Sequence, residues 1–178
     1  MDTARITMAE ALSVRAAIGR KLHQLFHERN MNSTSIIEKG ETAEIPTRSV
    51  DVLTREIDAV NADFRKIDVL LAKANIERTI VWDGQPITIL EAIELAKQTR
   101  MEIQQLGSLG NRKKLERQTQ RSGFGESATS LFTVALYDPE AYRSESLKKE
   151  REVTKLSSLI EQSNHLHYID FDASAYMG

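Results

Sequence analysis

The sequence predicts a mainly α protein: a four-helix antiparallel bundle of long helices with a small β-hairpin or sheet element. Three observations carry this. First, Val50, Leu53, Ile57, Val60, Phe64, Ile67, Leu71 and Ala74 alternate spacings of three and four without a miss, which is a heptad seam. Second, Thr7 with Glu10, and Thr88 with Glu91, are capping boxes, in which hydroxyl and carboxylate each satisfy the other's end of a helix start. Third, Asp83-Gly84 between short apolar-alternating arms is a two-residue hairpin signal.

Taken in order, the first helix is expected at about 7–30, with Ile18, Leu22, Leu25 and Phe26 as an amphipathic stripe. Asn30, Asn32, Ser33, Thr34 and Ser35 stop it, because short polar side chains compete for backbone groups, and a loop with Gly40 and Pro46 follows. The seam then predicts a helix over 48–76 whose outer face is charged, and one such helix cannot bury its seam alone. Residues 79–87 form the hairpin, with Pro86 confining the second arm to an edge. A third helix is expected at about 88–119, with a small-sided inward stripe of Ala92, Ala96, Ile103, Leu106 and Gly110. Gly107 and Gly110 each cost it about 1 kcal/mol relative to alanine, which points to close helix approach or to a kink. Thr129 to Leu136 has the β-branched and aromatic content of a strand. Asp138-Pro139 suits an N-cap and first turn, and opens a helix at about 138–163 with Tyr142, Val153, Leu156, Leu159 and Ile160 inward. An extended stretch over 165–172 closes the chain. The segments 79–87, 129–136 and 165–172 are expected to share one small sheet.

Composition narrows the function classes. The chain has 178 residues, read as one helical domain over 1–178, with 40% apolar and 28% charged residues. A chain of this size buries about 70% of its unfolded surface, so folding needs neither metal nor disulfide. Its net charge of −2 argues against a nucleic-acid binder working by bulk charge. It has no cysteine, which removes thiol catalysis and cysteine-based zinc sites. No apolar run approaches a membrane span and the opening residues do not resemble a secretory signal, so a cytoplasmic protein without a membrane partner is expected.

Few residues carry visible chemistry. His23 and His27 stand at i, i+4, a usable metal-ligand spacing, and His165 and His167 share one face of the closing stretch. No Glu follows His23, so the zincin motif is absent, and surface or interface histidines are the preferred reading. Arg121, Ser122, Gly123 and Gly125 lie in a loop whose backbone amides suit an anion nest, though it lacks a P-loop ending. Upstream, Arg112, Lys113, Lys114 and Arg117 form a basic run that reads first as a helix end complementing its dipole. Arg100 sits at the edge of an apolar stripe, where a guanidinium is costly unless paired. Asp63, or Glu102 of another copy, would serve as its structural partner, and a ligand carboxylate or phosphate as its functional one. Arg78 and Thr79 are expected to converge on the same region, with Tyr168 and Trp82 as stacking surfaces. No nucleophile–base pair is visible.

The order of short motifs adds a resemblance. The opening Met8-Ala9-Glu10-Ala11-Leu12 with Arg15, the loop with Gly40-Glu41, the Asn75 to Thr79 stretch before an Asp-Gly turn, the helix start Ile87 to Ala92 and the closing Gln162-Ser163-Asn164 fit one pattern. In that order the chain resembles, over about residues 8–172, a bacterial and phage helical family of unknown function often automatically labelled septicolysin. It departs from the pattern around Gln98-Thr99-Arg100, near Ala128-Thr129 and at Asn164-His165. The resemblance implies a helical homo-oligomer.

The expectation from these readings is a non-enzymatic binding protein without a cofactor, a symmetric homo-oligomer assembled through the heptad seam and the small-sided third helix. It would capture a small anionic, nucleotide-like ligand at inter-subunit pockets through Arg78, Thr79, Arg100, Arg117, Arg121, Ser122, Gly123, Gly125 and Tyr168. Phage proteins that sequester immune signalling nucleotides are its analogue in general economy. The alternatives are a structural or protein-interaction helical module, and a metal-dependent hydrolase built on the histidines.

Overall fold

The structure, a computed structural model, describes residues 5–118 and 131–177. Among these the order is β1 (Arg5–Thr7), α1 (Met8–Met31), α2 (Val50–Glu77), β2 (Thr79–Trp82), β3 (Gln85–Thr88), α3 (Ile89–Gly110), β4 (Leu115–Arg117), β5 (Phe132–Val134), α4 (Pro139–Leu166) and β6 (Tyr168–Asp170). The protein is mainly α with a small β element, as its periodicity predicts. The chain divides into two compact units. One comprises Met1–Ile80, Thr88–Leu90 and Glu161–Gly178; the other comprises Val81–Ile87 and Glu91–Ile160.

The first unit is built on the antiparallel pair α1 and α2. Thr7 caps α1 with the predicted box: its hydroxyl accepts from Glu10 N–H at 3.1 Å while its own N–H donates to the Glu10 carboxylate at 2.7 Å. The α2 seam residues Leu53, Ile57, Val60, Ile67, Leu71 and Ala74 are buried in one cluster with Ala11, Val14, Ile18, Leu22 and Leu25 of α1. Each leucine, isoleucine or valine among them contributes about 1.5–3 kcal/mol by leaving water. The seam that the sequence assigns to assembly between copies is therefore filled within the chain, because α1 supplies a matching stripe. Arg15 pairs with Asp68 toward one end of the helix pair, its guanidinium 5.0 Å from the Phe64 ring centre. Arg48 ties the other end, reaching Glu28 at 3.3 Å and Glu56 at 2.6 Å.

A strand that the sequence reading did not anticipate closes this unit. β1 pairs antiparallel with β6, Ile6 opposite Ile169 and Thr7 opposite Tyr168. Beyond β6, Phe171 and Ala173 enter the α1–α2 core with Tyr176 packed against it. Tyr176 donates its hydroxyl to Asp63 at 2.5 Å. Burial first, then this bond and the Asp63 charge, push the Tyr176 phenol above its ordinary value. A raised phenol means the unfolded chain ionises first. The stabilisation is thus complete below about pH 10 and is lost as pH climbs through the native value. The stability of the wild type is expected to fall more steeply above pH 10 than that of Tyr176→Phe. Urea midpoints at pH 9, 10 and 11 measure it, and parallel slopes would refute the assignment.

The second unit pairs α3 and α4, also antiparallel. Arg143 donates to Gly110 O at 3.1 Å, Ser146 to Ile103 O at 3.3 Å, and Lys149 meets Glu102 at 3.0 Å. The predicted small stripe is the packed one: Ala92, Ala96 and Gly110 are buried, Ile103 and Leu106 half-buried. Asp138 caps α4 by accepting from Glu140 N–H at 3.1 Å. Asp83 and Gly84 both take positive φ, 49° and 75°, as a two-residue hairpin turn demands.

Three expectations need correction. The third helix ends at Gly110 rather than near 119, because Leu115–Arg117 pairs with Phe132–Val134 as β4 and β5. The basic run accordingly lies on a turn and a strand, where Lys114 donates to Ala135 O at 3.0 Å and Tyr137 O at 2.7 Å. The extended segments do not share one sheet; the described strands form three separate two-stranded pairs, β1–β6, β2–β3 and β4–β5.

Candidate functional site

A candidate site lies in the first unit, in a groove of about 570 Å³ along α1. Its floor is the α1 face carrying Ala9, Ser13 and Ala17 at i, i+4 and i+8, with Val14 beside them. Short side chains there leave the helix surface low. The facing wall is His165, at the end of α4, with Tyr176 and Met177 from the closing turn. That turn is held by Tyr176 N–H to Ala173 O at 2.8 Å and by Asp172, which accepts from Ser174 N–H at 3.0 Å. The Ser174 hydroxyl, then its N–H, hold the Asp172 carboxyl below the usual range. Lys21 lies 5.1 Å from the Tyr176 ring centre and, with the bond to Asp63, fixes the ring.

Charge in the groove is arranged along the helix. Glu10 stands at one end, its carboxyl held low chiefly by the Thr7 N–H, then by the Thr7 hydroxyl, with His165 adding attraction. Its acceptor capacity is largely used by that cap. Arg20 stands about 15 Å further along at 1.5 Å per residue. Among the described residues Arg20 has neither an ion pair nor a hydrogen bond. A guanidinium without a partner beside an apolar floor is suited to bidentate capture of a carboxylate or phosphate. The Ser13 hydroxyl and the Tyr176 ring offer a further polar contact and a flat apolar surface.

The residues singled out from sequence are distributed differently. Arg78 caps the C-terminus of α2, its carbonyl accepting from Ile89 N–H at 2.9 Å, and Thr79 opens β2. Tyr168 lies opposite Thr7 in β6, half exposed, with the Arg5 guanidinium 5.6 Å from its ring centre, so it adjoins the groove. Arg100 and Arg117 belong to the second unit. Arg100 is exposed, and it donates to Ser157 at 2.7 Å. The partners expected for it are engaged elsewhere, Asp63 with Tyr176 and Glu102 with Lys149. Arg117 sits in β4 opposite Phe132. Arg121, Ser122, Gly123 and Gly125 lie outside the described residues. Trp82 lines a separate depression of about 320 Å³ with Glu152, Lys155 and Leu159.

Among the described residues no group of three or more histidines and carboxylates is placed to hold an ion. His165 is helical rather than extended, because α4 runs on to Leu166, and the His167 ring instead meets the Ser163 hydroxyl at 3.0 Å. His23 and His27 are exposed on α1.

No family model matches the chain, and no curated protein matches it. Among solved structures, it is similar to the crystal structure of a functionally unknown conserved protein from Corynebacterium diphtheriae, with a TM-score of 0.68 and 15% identity. The likeness covers 93% of this chain and 99% of that one. At that identity it establishes the fold. Among the described residues no helix is long and apolar enough to cross a membrane.

Arg20, Ser13 and Tyr176 were not legible as site residues. The signal for Arg20 was faint: it follows Ala9, Ser13 and Ala17 on the α1 face away from Ile18, so it was bound to share whatever surface those small residues left open.

Proposed function

We propose that this chain is a non-enzymatic binding protein that captures a small anionic, nucleotide-like ligand in the groove along α1. Arg20, without an ion pair or hydrogen bond among the described residues and placed beside the apolar floor, carries the reading. The guanidinium would take the anion, the Ser13 hydroxyl would orient it, and the Tyr176 and Met177 wall would cover its apolar or planar part. The groove's size falls within the roughly 300–1,000 Å³ of small-molecule sites. Capture of this kind needs a preorganised wall and no reacting group, and the Asp63 bond to Tyr176 supplies the preorganisation.

Calorimetry with inorganic phosphate, mononucleotides, cyclic dinucleotides and short carboxylates tests the proposal. At least one of them should bind wild type, and Arg20→Ala should weaken it about tenfold, as loss of one charge-assisted bond of about 1.5 kcal/mol requires. Arg100→Ala, in the other unit, should leave affinity unchanged. Uniform absence of binding, or equal affinity in Arg20→Ala, would remove the reading.

A further inference from the structure

Trp82 stands out in the sequence as a stacking surface, and the groove along α1 does not use it. It belongs to the second unit, where Val81, Trp82, Asp83, Glu152, Lys155 and Leu159 line the depression of about 320 Å³. β2 alternates exposed and half-buried residues, and Trp82 is on the half-buried side. Asp83 and Gly84 follow it with φ of 49° and 75°, so a tight hairpin turn fixes the backbone that carries both the indole and the Asp83 carboxylate. From α4 come Glu152, Lys155 and Leu159, at i, i+3 and i+7 on one helix face.

The charges lining the depression are of both signs. Among the described residues Asp83, Glu152 and Lys155 make neither an ion pair nor a hydrogen bond. Lys149, which Glu152 also attracts, is bonded to Glu102 at 3.0 Å. Two carboxylates against one ammonium leave the lining net negative, which disfavours a simple anion. A divalent metal ion is a poor occupant too, since two carboxylates fall short of its ligand number and Lys155 repels it. Trp82 favours a different cation. An indole face is the strongest aromatic partner for an ammonium or guanidinium group, and flanking carboxylates add charge-assisted hydrogen bonds. Lys155 supplies the counter-charge for a carboxylate in the same molecule. We infer that the depression binds a basic amino acid, its cationic side chain over Trp82 between Asp83 and Glu152 and its carboxylate at Lys155. Size agrees, because about 320 Å³ is at the low end of the roughly 300–1,000 Å³ of small-molecule sites and suits one amino acid rather than a nucleotide. The lining shares no residue with the α1 groove, so the two readings stand or fall separately.

Trp82 is the one tryptophan of the chain, so its fluorescence reads this depression alone. Arginine, lysine, agmatine (arginine without its carboxylate) and glutarate are the probes, with calorimetry repeating each titration. Arginine or lysine should bind saturably and change the emission, and glutarate should do neither. Agmatine should bind about fivefold more weakly than arginine, the upper end for one exposed charge pair. Asp83→Asn keeps the turn, because Asn-Gly suits the same pair of positive φ values, and Glu152→Gln keeps the side-chain length. Each should weaken arginine binding about fivefold or more while the thermal midpoint holds. Lys155→Met should bring arginine down to agmatine's affinity and leave agmatine unchanged, and Arg20→Ala should alter neither. No binding of either basic amino acid by either method would overturn the inference. So would arginine affinity unchanged in both carboxylate variants, or glutarate binding as tightly as arginine. Agmatine equal to arginine, with Lys155→Met silent, would overturn it as well, by showing a site indifferent to the carboxylate.

Discussion

Phe171→Ala is expected to lower stability by about 3–5 kcal/mol, the cost of emptying a buried aromatic site. The ring is 2% exposed and among the largest fully buried side chains of the chain. It is the first residue after β6 and enters the cluster that α1 and α2 share, with Lys66 Nζ lying 5.7 Å from its centre. Two consequences follow from one contact. The cavity removes dispersion and transfer energy from the core, and the segment beyond β6 loses the anchor that sets Tyr176 and Met177 against α1. Urea unfolding should show the midpoint shift with an unchanged slope. Native-state hydrogen exchange should show faster exchange at Tyr176 and Met177, whose N–H groups both donate to Ala173 O. A loss under about 1 kcal/mol would mean the segment packs on the helices without being held by this ring. Tyr176→Phe is the smaller companion, removing one hydrogen bond and leaving the ring in place.

The helices were legible because each rests on information local to one segment. The seam from Val50 to Ala74, the Thr7 box and the Asp138-Pro139 start all place their elements within a residue or two. What the seam met was not legible, since periodicity says that a face must be covered and not by what. The sequence reading gave it to other copies of the chain; α1 fills it. β1 was missed for a related reason. Arg5–Thr7 is a strand only because Tyr168–Asp170 reaches it from the far end of the chain, a pairing across more than 160 residues with no local signature. Likewise the helical pattern past Gly110 is overridden by β4 pairing with β5, where tertiary hydrogen bonds outweigh a modest local preference.

The site was less legible than the fold. Sequence reasoning looked for cations near glycines and aromatics, and so assembled Arg78 from the C-cap of α2 with Arg100 of α3, Arg117 of β4 and Tyr168 of β6. The groove is instead made by small residues that leave space, and space is not written in any one side chain. Ala9, Ser13 and Ala17 carry no chemistry of their own, and Tyr176 acquires its place from Asp63, 113 residues away in sequence. Arg20 becomes informative only once it is known to have no partner among the described residues.

Gly107 and Gly110 look equivalent in sequence, yet alanine at the two should change stability in opposite directions. A Cβ on Gly107 meets Ser146 Oγ at 3.8 Å, an ordinary contact, so Gly107→Ala gains the usual helix advantage of about 0.5–1 kcal/mol. A Cβ on Gly110 would stand 2.8 Å from both N and Cα of Arg143. Backbone cannot swing aside as a side chain can. α4 would have to retreat, and its retreat would strain the bonds Arg143 makes to Gly110 O and Ser146 to Ile103 O. Gly110→Ala is therefore expected to cost about 1–3 kcal/mol, the range for overpacking a close contact. The pair also separates the two meanings a glycine near a helix end can have. If Gly110 served merely to stop α3, alanine would be almost neutral, because the turn beyond it needs no positive φ at that residue. If it serves to admit α4, the loss should be partly recovered when Arg143 is replaced by glycine, which relieves the side-chain part of the clash at 3.0 Å but not the backbone part. Urea midpoints of the three variants against wild type decide it, and equal signs for Gly107→Ala and Gly110→Ala would refute the close approach.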